Sequence, residues 1–468
     1  MSRSTAAPSS SAARSLTIGV DVGTTSVKAL LVDARGEVRG RARVAHPVLA
    51  PEPDMLEHDA ARAWRRGPRR AVSLARDGLE DPVAGVTVAA MVPSMTAVDT
   101  RGVPRTPGLL YGDVRGRWAD AEEFDASGGS MPDAEGFLSW TARQAPDAMG
   151  YWPAQAVATH ALSGNGVIDS AVMSCLGRLQ VGGKWDEELV RRLGADVAQL
   201  PRVEDMCRPA ATLTGTDAVI TGGTVDAFCD QIVSGATEVG DVLVLFGATL
   251  IVWAVTDTWV EAPGLLTLPH TVPDRVMIGG PSNAGALFVD WARQLLRGLA
   301  PHHKRAAGAA PRRGDPTRVP VWLPYLRGER TPFFDPDLRA SLHGIDIAQG
   351  PEELERGIYE SSGFVIRSIV ERAGLSPRRV VATGGGSSVA PWMAAVADAT
   401  GLPVDSVGVP EGAALGAAYL ARVAAGLEEG LEGAQRWARR GPRIEPDPQW
   451  AKACDERYRR FAELGPQG

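Results

Sequence analysis

Leu16-Thr17-Ile18-Gly19-Val20-Asp21-Val22-Gly23-Thr24-Thr25-Ser26-Val27-Lys28-Ala29-Leu30-Leu31-Val32 is an apolar run, a glycine–hydroxyl turn and a second apolar run. The pattern predicts strands over residues 16–22 and 27–33, joined at a tip where backbone N–H groups and Thr oxygens lie together. Glycine lets the main chain approach an anion closely, so such a tip suits phosphate oxygens. More than two hundred residues later, Val242 to Phe246, Gly247-Ala248-Thr249 and Leu250 to Val255 repeat the plan. One such turn is weak evidence. Two, one in each half of the chain, with a third glycine cluster at Gly384-Gly385-Gly386, point to a nucleotide held between two similar domains.

Outward from the first turn, Asp33-Ala34-Arg35-Gly36 signals another hairpin. Residues 59–79 read as a helix with Ala60, Ala63, Trp64, Ala71 and Leu74 near one face, and Val83 to Met91 as a buried strand. This β-β-β-α-β order predicts an α/β domain. Residues 150–200 read as largely helical, and Val219-Ile220 as a strand end. Residues 351–373 form the clearest helix, opened by Pro351, Glu352 and Glu353 and ended by Gly374. Val380 to Ala382 is a strand feeding the glycine cluster, and residues 391–400 a helix directly after it. Residues 412–425, rich in Ala and Gly, form a helix able to pack closely on another backbone. Residues 451–464 read as a terminal helix, residues 297–318 as a mobile loop and residues 1–14 as a disordered tail.

A chain of 468 residues is too long for one simple core. The expected division is an N-terminal domain over 15–240 and a C-terminal domain over 241–468. A net charge of −7 gives no basic footprint for nucleic acid or for an anionic membrane, and no apolar run approaches the roughly 20 residues that span a bilayer. A polyanionic substrate must therefore be met by local devices such as amide nests, Lys or Mg²⁺. Cys175, Cys207, Cys229 and Cys454 lack zinc or redox spacing and read as reduced packing residues of a cytoplasmic protein.

Four groups of residues carry chemistry. Asp21 stands before the first turn and Lys28 beyond it; a carboxylate there suits Mg²⁺ between it and a phosphate, or simply caps the turn. Asp226, after Thr221-Gly222-Gly223-Thr224-Val225, can accept a proton from an attacking hydroxyl, or cap a helix. Asp113, in Tyr111-Gly112-Asp113-Val114-Arg115-Gly116-Arg117, can accept hydrogen bonds from substrate hydroxyls with Arg115 beside it; the alternative is a surface ion pair. Gly384, Gly385 and Gly386 suit a flat adenine or ribose against the backbone, or a flexible loop. His302-His303 has no supporting ligand spacing and reads as solvated.

Taken together these blocks resemble the FGGY carbohydrate kinases, which include xylulokinase, ribulokinase and glycerol kinase. DVGTTSVKALLVDARGEV, LLYGDVRGR, GGTVDAF, VLVLFGATL, PYLRGERTPFFDPDLRASLHGI, ESSGFVIRSIVERA, TGGGSSVAPWMAAVADATGLPV and EGAALGAAYLA come in the family order over residues 16 to about 422. The resemblance implies two ribonuclease-H-like domains of the actin/hexokinase ATPase type with a central catalytic cleft. It implies ATP-dependent phosphorylation of a small sugar or polyol, a pentulose above all, and a homodimer by family habit. By motif, Asp226 is the general base and Asp21 the acid near Mg²⁺. Gly23, Thr24, Thr25, Lys28, Gly247 and Thr249 serve the phosphates, and Gly384, Gly385, Gly386 and Ser388 the adenosine. Asp113, Arg115 and Met95 face the sugar. Three departures stand out: Met91-Val92-Pro93-Ser94-Met95 where xylulokinases carry Gln-Met-His-Gly, Tyr111-Gly112 in place of Trp-Asn, and Ala248 where Thr or Ser is common. These motivate one alternative, a nucleotide-binding sensor or scaffold of the same fold without sugar chemistry.

Overall fold

A computed structural model describes residues 15–116, 133–299, 314–347 and 349–466. The 1–14 tail, Arg117 and His302-His303 lie outside the described residues. The chain forms two compact units, residues 1–233 with 411–437, and residues 234–410 with 438–468.

The first unit is built on a seven-stranded sheet. Strands Leu16–Val22, Ser26–Val32 and Val38–Ala45 form an antiparallel meander. Strand Val83–Ala90 then joins Leu16–Val22 in parallel, and Val219–Thr221 follows in parallel beyond it. Leu16–Val22 is buried at every position, as a central strand covered on both faces must be. Val38–Ala45 is the edge, and Arg39, Arg41 and Arg43 on it face solvent and discourage pairing with another chain. The second unit repeats the order. Asp241–Phe246, Leu250–Thr256 and Val276–Ser282 make the meander, and Arg379–Thr383 and Val404–Val407 add in parallel.

Most expected elements are present, including the helix Pro351–Arg372 and the helices Ala390–Thr400 and Pro448–Leu464. Three expectations need correction. The helix over 59–79 is shorter and begins as a π turn, Ala61–Arg66, before the α-helix Gly67–Ala75. It buries Trp64 and Ala71 but leaves Leu74 37% exposed. Residues 150–200 are mixed: helix Ala154–Ser163 is followed by the short strand Val167–Asp169 and the short helices Ser170–Ser174 and Glu187–Arg192. The linear division near residue 240 omits a return of the chain, because helix Gly412–Ala424 belongs to the first unit.

Glycines explain that return. A Cβ on Gly19 would lie 1.8 Å from the Ala414 carbonyl oxygen, and one on Gly416 would lie 2.0 Å from that of Cys229. Helix Gly412–Ala424 therefore rests backbone to backbone on strand Leu16–Val22 and on helix Asp226–Val233. Thr17 Oγ1 also donates to Ala418 O (2.9 Å). Overpacking such a contact typically costs about 1–3 kcal/mol. Gly416→Val is thus expected to lower the thermal midpoint by several degrees, measured by differential scanning calorimetry; an unchanged midpoint would contradict this seating.

Candidate active site

An anion site made of peptide amides must turn its carbonyls away from the anion. In the first turn the Gly23 N–H donates to Ser26 O (3.1 Å), closing the loop. Thr24 O then accepts from His58 Nε2 (2.7 Å), and Thr25 O accepts from the His46 N–H (3.0 Å). Among the described residues, the N–H groups of Thr24 and Thr25 have no acceptor. The turn thus leaves two donors free and engages the carbonyls of Thr24 and Thr25.

His58 is held in one tautomer. It must donate from Nε2 to the Thr24 carbonyl, while its Nδ1 accepts from Trp64 Nε1 (2.9 Å). Burial, then the neighbouring His46, pushes its pKa down to about 4 against the pull of the Thr24 carbonyl, so the ring is neutral at physiological pH. The His46 ring packs edge-on against it at 4.5 Å. Thr24 Oγ1 also shares a 2.9 Å hydrogen bond with the Tyr111 hydroxyl.

The second turn reaches the same end by another route. Gly247 N–H donates to Thr249 O (3.1 Å). The first amides of helix Ala286–Leu299 take the other carbonyls, Ala286 N–H to Gly247 O (2.9 Å) and Leu287 N–H to Ala248 O (3.1 Å). A Cβ on Gly285 would lie 2.3 Å from the Thr249 carbonyl carbon, so the helix can approach only because residue 285 is glycine. Among the described residues the amides of Ala248 and Thr249 have no acceptor.

Parallel pairing brings the second unit's glycine cluster alongside this turn, because Leu245 stands opposite Thr383. Gly384 to Ser388 is no flexible loop. Gly384 has φ +84°, and a Cβ there would be 3.0 Å from Phe246 O. One on Gly386 would lie 2.6 Å from the Trp392 ring. Ser387 and Ser388 donate to Gly384 O (2.7 Å) and Gly385 O (2.8 Å). Gly385 alone has open space beside it.

In the first unit the strand ends at Val22, Ala90 and Val225 lie side by side. They bring the first turn, the Met91–Met95 segment and Asp226 to one edge, the carboxyl ends of parallel strands where α/β sheets commonly bind ligands. Asp21 is nearly buried and pairs through Oδ2 with Lys28 Nζ at 3.0 Å. That carboxylate raises the Lys28 pKa, with Asp230 and Glu411 adding to it. Asp226 opens helix Asp226–Val233 and accepts from the N–H of the next residue, Ala227 (2.7 Å). A capping Asp would accept from amides two or three residues on. Burial and the charge of Asp21 push its pKa up to about 6, against Ala227 N–H and Lys28.

The three sugar-facing candidates are placed differently from expectation. Asp113 is wholly buried, with its oxygens taken by Leu56 N–H (2.6 Å), Arg115 N–H (2.8 Å), and Arg115 Nε (2.9 Å) and Nη2 (2.7 Å). It anchors the backbone rather than offering lone pairs to a sugar. Arg115 is engaged by Asp113 and by Glu57 (2.8 Å) and lies over the Trp140 ring. Met95 is 3% exposed and packs with Phe137, Leu138 and Tyr151 in an apolar cluster. His46, His58, Trp64, Glu57 and Gly285 were not legible as site residues, since their partners are remote in sequence. Among the described residues no three His, Cys, Asp or Glu side chains gather to hold a metal.

Removing the His58 donor leaves a buried carbonyl unpaired, a loss of about 1–3 kcal/mol. His58→Ala is expected to weaken ATP binding by about fivefold or more in calorimetry, and His58→Gln, which can still donate, to recover part of it. Equal affinity of His58→Ala and the native protein would contradict the tether.

Residues 16–118 match the N-terminal domain of the FGGY family of carbohydrate kinases and residues 243–425 its C-terminal domain. The chain is 26% identical to the xylulose kinase of Escherichia coli K12, covering 88% of this chain and 91% of that one. It is also 26% identical to the glycerol kinase of Rhizobium rhizogenes K84, over 94% and 95% of the two chains. The solved gluconate kinase of Lactobacillus acidophilus shares the fold, with a TM-score of 0.79 at 21% identity over 96% and 98% of the chains. Both family domains are present in order, together spanning more than half of the sequence, and the fold is the two-domain actin/hexokinase-type ATPase. This chain therefore belongs to the FGGY family of carbohydrate kinases.

Proposed function

We propose that this kinase transfers the γ-phosphoryl group of ATP to a hydroxyl of a small neutral ketose or polyol, a xylulokinase-like reaction with a pentulose the leading substrate. The observation that carries the reading is Asp226, a carboxylate with a raised pKa at the strand edge beside the first turn. A carboxylate oxygen of Asp226 takes the proton of the attacking hydroxyl as the hydroxyl oxygen bonds to the γ-phosphorus and the bond from that phosphorus to the leaving ADP oxygen breaks. The amides of Thr24 and Thr25 are free to bind phosphate oxygens, as are, separately, those of Ala248 and Thr249, and contacts of this kind are where most of the charge stabilisation arises. Lys28 belongs with the phosphates, and Gly384, Gly385, Gly386 and Ser388 with the adenosine, where the open face at Gly385 suits a planar base.

Asp21 fits Mg²⁺ that arrives with the nucleotide. One carboxylate, already ion-paired through a single oxygen, is a donor set for an ion that keeps its waters and phosphates, not for a protein cage. The ion would neutralise phosphate charge.

The acceptor side favours an uncharged substrate. Arg115 is fully engaged, and with Asp113 and Glu57 it leaves an excess of one negative charge. Asp113 is buried, so this charge acts on a substrate through its field and not by contact, which disfavours a sugar acid. The saturated Asp113 and buried Met95 also favour a second reading, a nucleotide-binding sensor, which ATP binding without turnover across ketoses and polyols would establish.

Asp226→Asn is expected to lower phosphoryl transfer by about 10² to 10⁴-fold with ATP still bound; near-native turnover would remove the assignment. In the native enzyme kcat/KM should rise with pH through about 6, as the base loses its proton. The stability sign is opposite: a folded-state pKa above the unfolded value means stability is lost as pH rises through about 6. Asp226→Asn should therefore melt higher than the native protein at pH 8. In an ATP-consumption screen, kcat/KM for the best ketose or polyol should exceed that for gluconate by about tenfold or more; gluconate as the best substrate would contradict the charge argument.

A further inference from the structure

The first two residues of helix Ala154–Ser163 join the two pieces of chain that an acceptor kinase must hold in register. Ala154 N–H donates to Ser94 Oγ (3.0 Å), and Ser94 Oγ donates to Met91 O (3.3 Å). Gln155 is wholly buried, and its carboxamide nitrogen reaches Ala90 O (2.9 Å), Met91 O (3.3 Å) and Thr224 O (3.3 Å). Ala90 and Met91 lead into the Met91–Met95 segment at the carboxyl edge of the sheet, and Thr224 stands two residues before Asp226. The contact is tight, because a Cβ on Gly223 would lie 2.5 Å from the Gln155 Cβ. Strand pairing of Thr224 with Ala89 and of Val225 with Ala90 runs alongside.

The side-chain type matters. A carboxamide nitrogen has two hydrogens and no acceptor lone pair, so it can face several carbonyl oxygens at once. A carboxylate of the same shape would repel all three. The Gln155 Oε1, by contrast, is buried without a hydrogen-bond partner. The position therefore keeps the amide for its nitrogen.

We propose that Gln155 is a positioning residue that registers the Met91–Met95 segment, at the carboxyl edge of the sheet, against Asp226. The edge of the sheet and the base are then held in register through one amide. The inference rests on Asp226 being the base. It implies that Gln155 governs how efficiently bound acceptor, rather than water, receives the phosphoryl group.

The test compares Gln155→Met, which keeps the volume, with Gln155→Glu, which keeps the shape. In Gln155→Met, kcat for sugar phosphorylation should fall about tenfold to hundredfold, as a small misplacement of reacting groups does. KM for ATP should stay within about twofold, and the share of ATP hydrolysed to ADP and phosphate in the presence of acceptor should rise. For Gln155→Glu, activity relative to the native enzyme should recover as pH falls, because protonation restores an O–H donor; the Gln155→Met ratio should stay flat. Native-like kcat and hydrolysis share in Gln155→Met would overturn the proposal. So would a parallel loss of kcat, ATP affinity and thermal midpoint with no pH recovery in Gln155→Glu. If Gln155→Met does not fold, Ser94→Ala decides: the same shift toward hydrolysis supports the coupling, and an unchanged share overturns it. An inactive Asp226→Asn beside an unaffected Gln155→Met would sink this inference alone, whereas an active Asp226→Asn would sink the base reading itself.

Discussion

A peptide carbonyl facing a phosphate repels it as strongly as the neighbouring amide attracts it, so a turn binds anions only if its oxygens are occupied elsewhere. Both glycine turns obey this constraint with different donors. In the first, His58 and the His46 amide take the oxygens; in the second, the opening amides of helix Ala286–Leu299 do. The two solutions share no sequence, although they sit at the same place in two repeated sheets. What the two turns repeat is therefore a pattern of engaged carbonyls and free amides, and local chemistry supplies whatever donor reaches the carbonyls.

The same edge concentrates charge. The charge of Asp21 raises the Asp226 pKa, and Lys28 answers only part of it. A carboxylate whose pKa is raised by burial and a like charge would suit proton abstraction and is unfavourable for stability at high pH. Behind it, the Asp113–Arg115–Glu57 triad is closed upon itself and braces the wall. Rigid support of this kind holds reacting groups to small tolerances.

The sheets and both turns were legible because a strand–glycine–strand pattern is local: strand Leu16–Val22 and strand Asp241–Phe246 lie where the apolar runs end at glycine. The helix Gly412–Ala424 was legible as a helix, but not its membership of the first unit, since only a three-dimensional contact to Gly19 reveals it. The proposed site was half visible: Asp226 and Asp21, its candidate acids, stand beside glycines in the sequence, whereas His58 and Trp64 act through Thr24, more than thirty positions away in the chain. Asp113 misled for a related reason: an acid next to an arginine carries no local sign of whether its lone pairs are open or, as here, filled by Leu56 and Arg115. Two of the three consecutive glycines turned out to serve packing against Phe246 and Trp392, a demand invisible in one dimension.

The most direct measurement is a crystal structure with a non-hydrolysable ATP analogue. Phosphate oxygens within about 3 Å of the Thr24 or Thr25 amides, with the His58–Thr24 bond intact, is the predicted result. Phosphates bound away from these amides, or a turn flipped so that its carbonyls face the nucleotide, would contradict it.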